Sequence, residues 1–223
     1  MSIENKIINL EKKAKIASKK IRVASNEIKN KVLKNLIENI KKNSKKILTS
    51  NQLDIKNAKN NSLSAPLINR LMMDESSINN LVKSIKNIIA LPDPVGKNLA
   101  EWTRPNGLII KKISVPLGVL GVIYESRPNV TVDAACIAIK SGNALILRGG
   151  SDSFETSKTL VKIISKSFNE SGLPNNCVQM IPVVDRMGVD IMIKMNNFID
   201  IIIPRGGKNL IEKINLKSNI PVI

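Results

Sequence analysis

The sequence predicts an α/β fold in which an amino-terminal helical segment precedes a mostly parallel sheet. Two observations predict it. Apolar residues recur at helical spacing through residues 1–91, and short apolar runs then alternate with helical segments of about ten to fifteen residues. Strands that alternate with helices need crossover connections, which pair the strands in parallel. A Pro- and Gly-containing breaker over 91–96 separates the two regions. We therefore expect a helical segment over 1–91 and an α/β core over 92–223.

Capping residues and apolar stripes predict the helices of the first segment. Ser25 or Asn26 is in position to cap a helix whose apolar stripe runs over residues 28–40. Asp74 is in position to cap another helix, whose stripe runs over 78–89. The first segment is therefore expected to be built from amphipathic helices that pack their apolar faces inward.

Apolar runs and breakers predict the elements of the second segment. Gly142 follows a helical pattern, as a C′ glycine would. Strands are expected near 108–115, 119–124, 144–148, 178–183 and 199–203, helices near 129–140, 153–169, 186–195 and from about 208, and the start of a further strand at 221.

Two glycine pairs, each preceded by an arginine, follow apolar runs that resemble buried strands. They are Arg148-Gly149-Gly150 and Arg205-Gly206-Gly207. Glycines allow a tight turn and a close backbone approach to a ligand, and a helix that begins just beyond presents free N–H groups to an anion. Arginine adds a charged fork for phosphate or carboxylate. We expect a phosphorylated ligand at these turns, although each pair could also simply close a strand-to-helix turn.

A third polar segment, residues 124–129, follows the strand expected at 119–124. Arg127 adds a third arginine at the carboxyl ends of the strands, where ligands bind in open parallel sheets. Asn129 at a helix start could donate to a developing oxyanion, but from the pattern alone an N-cap is the favoured interpretation. The dinucleotide fingerprint G-x-G-x-x-G is absent from the chain.

Composition narrows the possible function classes. The formal net charge of +17 fits either a lysine-covered surface or a nucleic-acid-binding protein, and we favour the first because the charge is spread along the chain and aromatic residues are only 2%. The chain has no histidine, and its two cysteines, Cys136 and Cys177, do not have the spacing of metal ligands, so no metal site is expected. Two cysteines form no disulfide framework, which fits the cytoplasm. Cys136 lies in an apolar run and is expected in the core. No secretory signal or membrane span is evident.

Several of these segments closely resemble the gamma-glutamyl phosphate reductase family of the aldehyde dehydrogenase superfamily. The resemblance rests on the Arg-Pro-Asn-Val-Thr motif that begins at Arg127 and on the two Arg-Gly-Gly turns. It runs in order through essentially the whole chain. The matching segments are 91–96, 116–119, 122–133, 142–150, 171–174 and 203–207.

The resemblance implies an aldehyde-dehydrogenase-like, Rossmann-type fold and a cytoplasmic, homo-oligomeric enzyme of proline biosynthesis. Such an enzyme reduces L-glutamyl 5-phosphate with NADPH to glutamate 5-semialdehyde. By motif, Asn129 matches the amide that stabilises the oxyanion. The turn 148–150 matches the loop near the adenosine-side ribose and phosphate of NADP(H), and the turn 205–207 matches the one near the pyrophosphate and nicotinamide. Arg127 is a weaker match to a residue that binds an anionic group of the substrate. No nucleic-acid or membrane partner is expected.

One departure from the family is large. Neither Cys136 nor Cys177 occupies the motif of the nucleophilic cysteine that the family uses. The chain is therefore expected to be a truncated, cofactor-binding portion that lacks the catalytic domain and is inactive alone. Two alternatives stay open at this point: a non-catalytic remnant that binds no ligand, and a basic nucleic-acid-binding protein.

Overall fold

The structure is a computed structural model that describes residues 2–185 and 187–223. The helices are α1 (Ile3–Ile21), α2 (Asn26–Lys42), α3 (Ser44–Asn60), α4 (Ala65–Leu71), α5 (Glu75–Ala90), α6 (Asn129–Lys140), α7 (Phe154–Asn169), α8 (Met187–Met192) and α9 (Lys208–Lys217). The strands are β1 (Asn98–Thr103), β2 (Ile109–Ile113), β3 (Val119–Tyr124), β4 (Ala144–Arg148), β5 (Val178–Met180) and β6 (Ile201–Arg205).

A parallel sheet of order β5-β4-β3-β6 forms the centre of the molecule. In register, Ile123 of β3 lies beside Arg148 of β4, and Tyr124 of β3 lies beside Arg205 of β6. The carboxyl ends of these three strands therefore meet at one edge of the sheet. The prediction of an α/β fold with a mostly parallel sheet is confirmed.

Helices cover both faces of this sheet, because alternate strand residues point to opposite sides. Leu120, Val122 and Tyr124 join a cluster formed mainly with α2, α5, α6 and α7. Val119 and Ile123 join a second cluster, to which α1, α8 and α9 contribute. Of the helices of residues 1–91, α1 packs directly on the sheet, whereas α2 and α5 pack mainly on α6 and α7, which lie between them and the strands. The division of the chain near residue 92 stays a prediction.

The predicted helix starts are largely correct. The Ser25 side chain accepts a hydrogen bond from the Ile28 N–H at 3.4 Å, and Asp74 accepts one from the Ser77 N–H at 2.7 Å as part of a capping box. Gly142 follows α6 with a φ of 71°, in the left-handed region that favours glycine. Asn129 was expected to cap α6, and this is wrong: Pro128 holds the cap position and Asn129 is the first helical residue.

Strand and helix ends differ from the predictions by a few residues. β5 ends at Met180 rather than near 183, and β6 covers Ile201–Arg205 rather than 199–203, so it includes Pro204. The helix predicted from 186 is observed as Met187–Met192, and its predicted first residue lies outside the described residues. The strand predicted from 221 is present only as a single parallel bridge between Val222 and Ile202.

An antiparallel hairpin of β1 and β2 forms a separate two-stranded sheet. Only a strand near 108–115 was predicted, and β1 was missed. Both strands are almost wholly exposed, so neither carries the inward-outward alternation that marks a half-buried strand. Among the described residues, no helix has both the length and the apolar character that crossing a membrane requires.

Candidate functional site

A cavity of about 940 Å³ opens at the carboxyl ends of β3, β4 and β6. Three segments that follow these strands line it: 123–127, 148–152 without Gly149, and 205–207. Residues of α8 and α9 close its other side. The parallel register therefore brings both Arg-Gly-Gly turns and Arg127 to one cleft, as ligand sites in open α/β sheets require. A cleft of this size is in the range that binds a cofactor.

The buried side chain of Tyr124 packs against the first turn, Arg148-Gly149-Gly150. Its hydroxyl lies 2.6 Å from the Thr131 hydroxyl and donates to the Ser157 hydroxyl at 3.2 Å. A Cβ on Gly149 would lie 2.9 Å from the Tyr124 hydroxyl oxygen, so only glycine fits there. Burial raises the pKa of Tyr124, which keeps the hydroxyl neutral. Gly149 therefore permits close packing and does not line the cavity.

Gly150 faces a second polar contact at the rim of the cavity. The Ser126 hydroxyl donates to Oδ2 of Asp152, and a Cβ on Gly150 would collide with Oδ1 of the same carboxylate. Ser126 itself has a φ of 42°, a left-handed conformation that is uncommon for residues other than glycine. This contact ties the loop after β3 to the turn after β4 and so shapes the wall of the cleft.

Arg148 is only 8% exposed although it lines the cavity. Its guanidinium donates to the carbonyls of Gly149, Val184 and Asp185, the last two at 2.9 and 3.2 Å. The sequence interpretation placed this guanidinium against a phosphate. In the structure it joins β4 to the 184–185 segment on the opposite wall, which supports the shape of the cleft.

The second turn is more open than the first. Arg205 is exposed at the end of β6, and a Cβ on Gly207 would meet no atom within 4 Å. The Gly207 N–H donates to Oε2 of Glu125 at 3.0 Å. Sequence reasoning missed Glu125 as a site residue. Glu125 directly follows β3, and β3 pairs in parallel with β6, so the residue lies beside the second turn. The order of the strands in the sheet cannot be read from the sequence, and this position was therefore not predicted.

Asn129 lies outside the large cleft. It lines a neighbouring cavity of about 260 Å³, and its side-chain amide donates to Oδ2 of Asp133 at 3.1 Å. Arg70, which sequence reasoning also missed, lines both cavities and therefore lies between them. The structure thus brings Arg127, Arg148, Gly150 and the 205–207 turn together, and it places Asn129 beside them across Arg70.

Neither cysteine is built to act as a nucleophile. Cys136 and Cys177 are both fully buried, and the Cys177 thiol faces the Ala17 carbonyl oxygen at 3.8 Å. Burial raises the pKa of Cys177 to about 12, and burial together with the nearby Asp133 charge raises that of Cys136 further. Because the thiolate is the reactive form, both thiols are inert near neutral pH. The prediction that Cys136 is a core residue is confirmed.

Comparison with known proteins agrees with the motifs. The gamma-glutamyl phosphate reductase of Clostridium tetani is 46% identical over 217 residues, which are 97% of this chain and 51% of that protein. The chain is similar to the amino-terminal half of gamma-glutamyl phosphate reductases. It spans about half the length of the curated relatives that it matches. No family model matches the chain. The nucleic-acid-binding and remnant alternatives receive no support from these comparisons.

Solved structures show the same relationship. The crystal structure of gamma-glutamyl phosphate reductase from Thermotoga maritima matches with a TM-score of 0.95 at 36% identity, over 97% of this chain and 52% of that one. A probable aldehyde dehydrogenase from Listeria monocytogenes matches with a TM-score of 0.73 at 17% identity, over 100% and 47% of the two chains. An engineered glycolyl-CoA reductase with bound NADP+ matches with 0.70 at 14%, over 97% and 46%. The last two matches show similarity of fold alone. The prediction of an aldehyde-dehydrogenase-like fold is confirmed.

Proposed function

We propose that this chain supplies the NADP(H)-binding part of a gamma-glutamyl phosphate reductase. The complete enzyme would reduce L-glutamyl 5-phosphate to L-glutamate 5-semialdehyde in proline biosynthesis. The observation that carries the proposal is the convergence of Arg127, Arg148 and Arg205 with the open Gly207 turn on a single cleft at the carboxyl ends of parallel strands. The similarity to the reductases over almost the whole chain supports the choice of reaction.

The residues of the cleft fit a dinucleotide phosphate. A Cβ on Gly207 would meet no atom within 4 Å, so a ligand can approach this turn closely. The amino terminus of α9 directs its N–H groups and its positive dipole end to the same place, where the Gly207 N–H now donates to Glu125. Arg205 is exposed beside this turn and can form charge-assisted bonds to phosphate oxygens. NADPH, when bound, supplies the hydride. The chain's own part is to hold the phosphates and to orient the nucleotide.

Replacing Arg205 with alanine tests the nucleotide site. We expect the dissociation constant for NADPH to rise about tenfold, because an exposed arginine that forms a charge-assisted bond to phosphate is worth roughly 1.5 kcal/mol. Isothermal titration calorimetry on the purified chain measures it. Arg104→Ala is the matched control, since Arg104 is also exposed but lies at the hairpin turn and lines neither cavity. Equal affinity of the two variants would show that Arg205 does not bind the nucleotide.

The chain alone is expected to bind NADPH without catalysing the reaction. The family's chemistry proceeds through an enzyme thiolate, and both thiols of this chain are buried with raised pKa values. The assay follows NADPH formation from glutamate 5-semialdehyde, phosphate and NADP+, with the Clostridium tetani reductase as the positive control. Turnover above the uncatalysed rate would contradict the prediction.

The remaining features of the proposal follow from the resemblance. Asn129 as oxyanion donor and Arg127 as a contact to the substrate are proposed roles. Asn129 would have to act from the smaller cavity, with its amide released from Asp133. Self-association and a cytoplasmic location also stay predictions.

A further inference from the structure

We propose that the Glu125 carboxylate occupies the anion position at the amino terminus of α9 and competes there with the phosphates of the nucleotide. This inference rests on the proposed nucleotide site, because it concerns the regulation of that site. Glu125 would then act as an internal competitor that weakens nucleotide binding until its side chain moves away.

The position of Glu125 follows from the register of the sheet. Tyr124, the last residue of β3, lies beside Arg205 of β6, so the next residue along each strand, Glu125 and Gly206, also lie side by side. Oε2 of Glu125 accepts the Gly207 N–H at 3.0 Å. A Cβ on Gly206 would lie 2.7 Å from the same oxygen, so the carboxylate lies directly over the glycine turn.

The amino terminus of α9 has an anion position that no side chain of α9 itself fills. α9 begins after Gly207, has no acidic residue in its first turn and has no side-chain cap of its own. An anion is therefore stabilised at this terminus by the free N–H groups and by the helix dipole. Glu125 reaches the terminus from a different strand and supplies the only anion that the described residues place there by hydrogen bond.

The arginines around the cleft are not neutralised by Glu125. Within residues 2–185 and 187–223, neither Arg127 nor Arg205 has an acidic partner at ion-pair distance. Glu125 instead accepts a hydrogen bond from the backbone N–H of Gly207, where we propose that the pyrophosphate of the nucleotide binds. A phosphate and this carboxylate cannot both accept the Gly207 N–H, and two like charges at that distance repel each other. Binding of the nucleotide must therefore displace Glu125.

A plain structural cap would behave differently. If Glu125 only stabilises α9, its removal lowers the stability of the fold and leaves the affinity for anions unchanged or lower. If it competes with phosphate, removal of its charge raises that affinity. Glu125→Gln separates the two interpretations, because glutamine keeps an oxygen that can accept the Gly207 N–H and loses the charge. Its amide NH2 is a new donor to phosphate, so Glu125→Ala, which adds no donor, is measured beside it.

The experiment measures the binding of NADPH and of inorganic pyrophosphate to the wild-type chain and to Glu125→Gln by calorimetry. We expect Glu125→Gln to bind both probes at least about fivefold more tightly at an ionic strength of about 50 mM, with a smaller gain at higher salt. Glu212→Gln is the matched control. Glu212 lies on the same helix and pairs with Lys208, so this variant removes the same charge away from the amino terminus, and we expect a change within about twofold.

A second variant, Glu125→Ala, is a control in case Glu125→Gln does not fold correctly. Glu125→Ala vacates the Gly207 N–H completely and must also tighten the binding of both probes, and thermal unfolding shows whether each variant is folded. Unchanged or weaker binding by the folded Glu125 variants, with NADPH bound by the wild-type chain, overturns this inference and leaves the proposed function standing. If pyrophosphate binding tightens and no variant binds NADPH, the proposed function fails and the anion position stands. If no variant binds either probe, both fail.

Discussion

At about pH 9, the free energy of unfolding of the Glu11→Gln variant is expected to exceed that of the wild-type chain by roughly 4 to 5 kcal/mol. Glu11 on α1 is completely buried, and neither of its carboxylate oxygens has a hydrogen-bond partner among the described residues. Burial therefore raises the pKa of Glu11 from 4.5 to about 8. Ionisation of this side chain in the folded state is costly, and glutamine avoids it.

The direction of the pH dependence follows from linkage. The folded protein binds the Glu11 proton more tightly than the unfolded chain does, so its stabilising effect is complete below the unfolded pKa of 4.5 and is lost as the pH rises through about 8. The chain has no histidine, so histidine titration does not obscure this window. Urea unfolding at about pH 5 and about pH 9 measures the difference.

Glu4→Gln serves as the control for this prediction, because Glu4 is exposed on the same helix. The wild-type chain and Glu4→Gln should lose stability in parallel as the pH rises, whereas Glu11→Gln should lose much less. The same loss in all three proteins would show that Glu11 is not the group responsible.

Replacing Asp93 with alanine is expected to lower the free energy of unfolding by about 3 to 5 kcal/mol, the cost of leaving a buried charge without its partner. Lys29 of α2 is only 1% exposed, and its Nζ lies 2.5 Å from Oδ2 of Asp93. Burial raises the pKa of Asp93, but hydrogen bonds from Lys29 and from the Val95 N–H outweigh burial and lower it overall. Asp93 thus stays ionised and joins the segment after α5 to α2.

A double-mutant cycle separates this ion pair from general packing. Lys29→Met removes the buried charge and keeps the length of the side chain, so Lys29→Met/Asp93→Ala should recover most of the stability that Asp93→Ala loses. Part of the loss will remain, because Asp93 also lowers the cost of burying the neighbouring Lys140. Urea unfolding at neutral pH measures all four proteins. A double variant as unstable as Asp93→Ala would argue against the pair as the cause.

The sequence predicted the strands of the sheet better than the hairpin. β3 and β4 are continuous apolar runs that are buried along their whole length, and both were located to the residue. β1 contains Leu99 and Trp102, which are exposed in the hairpin, so its pattern carried no signal of burial. Patterns of hydrophobicity report burial, and an element that buries little is therefore hard to predict from them.

The candidate site, like the fold, was predicted from the sequence only in part. The two Arg-Gly-Gly turns were located because glycine and arginine mark a turn and an anion site by their own chemistry. The partners of these turns were not located. Arg148 pairs with carbonyls of residues 184–185, and Gly207 pairs with Glu125, which is 82 positions earlier in the chain. Contacts of this kind depend on which strands lie side by side.

By itself the sequence determined the type and order of most elements, the positions of the glycine turns and the similarity to the amino-terminal half of the reductases. These properties depend on local spacing and residue type, which are readable along the chain. The tertiary structure alone decided that Glu125 lies over the α9 terminus, that Asn129 lies in a separate cavity and that Glu11 is buried without a partner. Each of these depends on the parallel register of the strands and on how the helices pack on the sheet, and both arise only when distant parts of the chain come together.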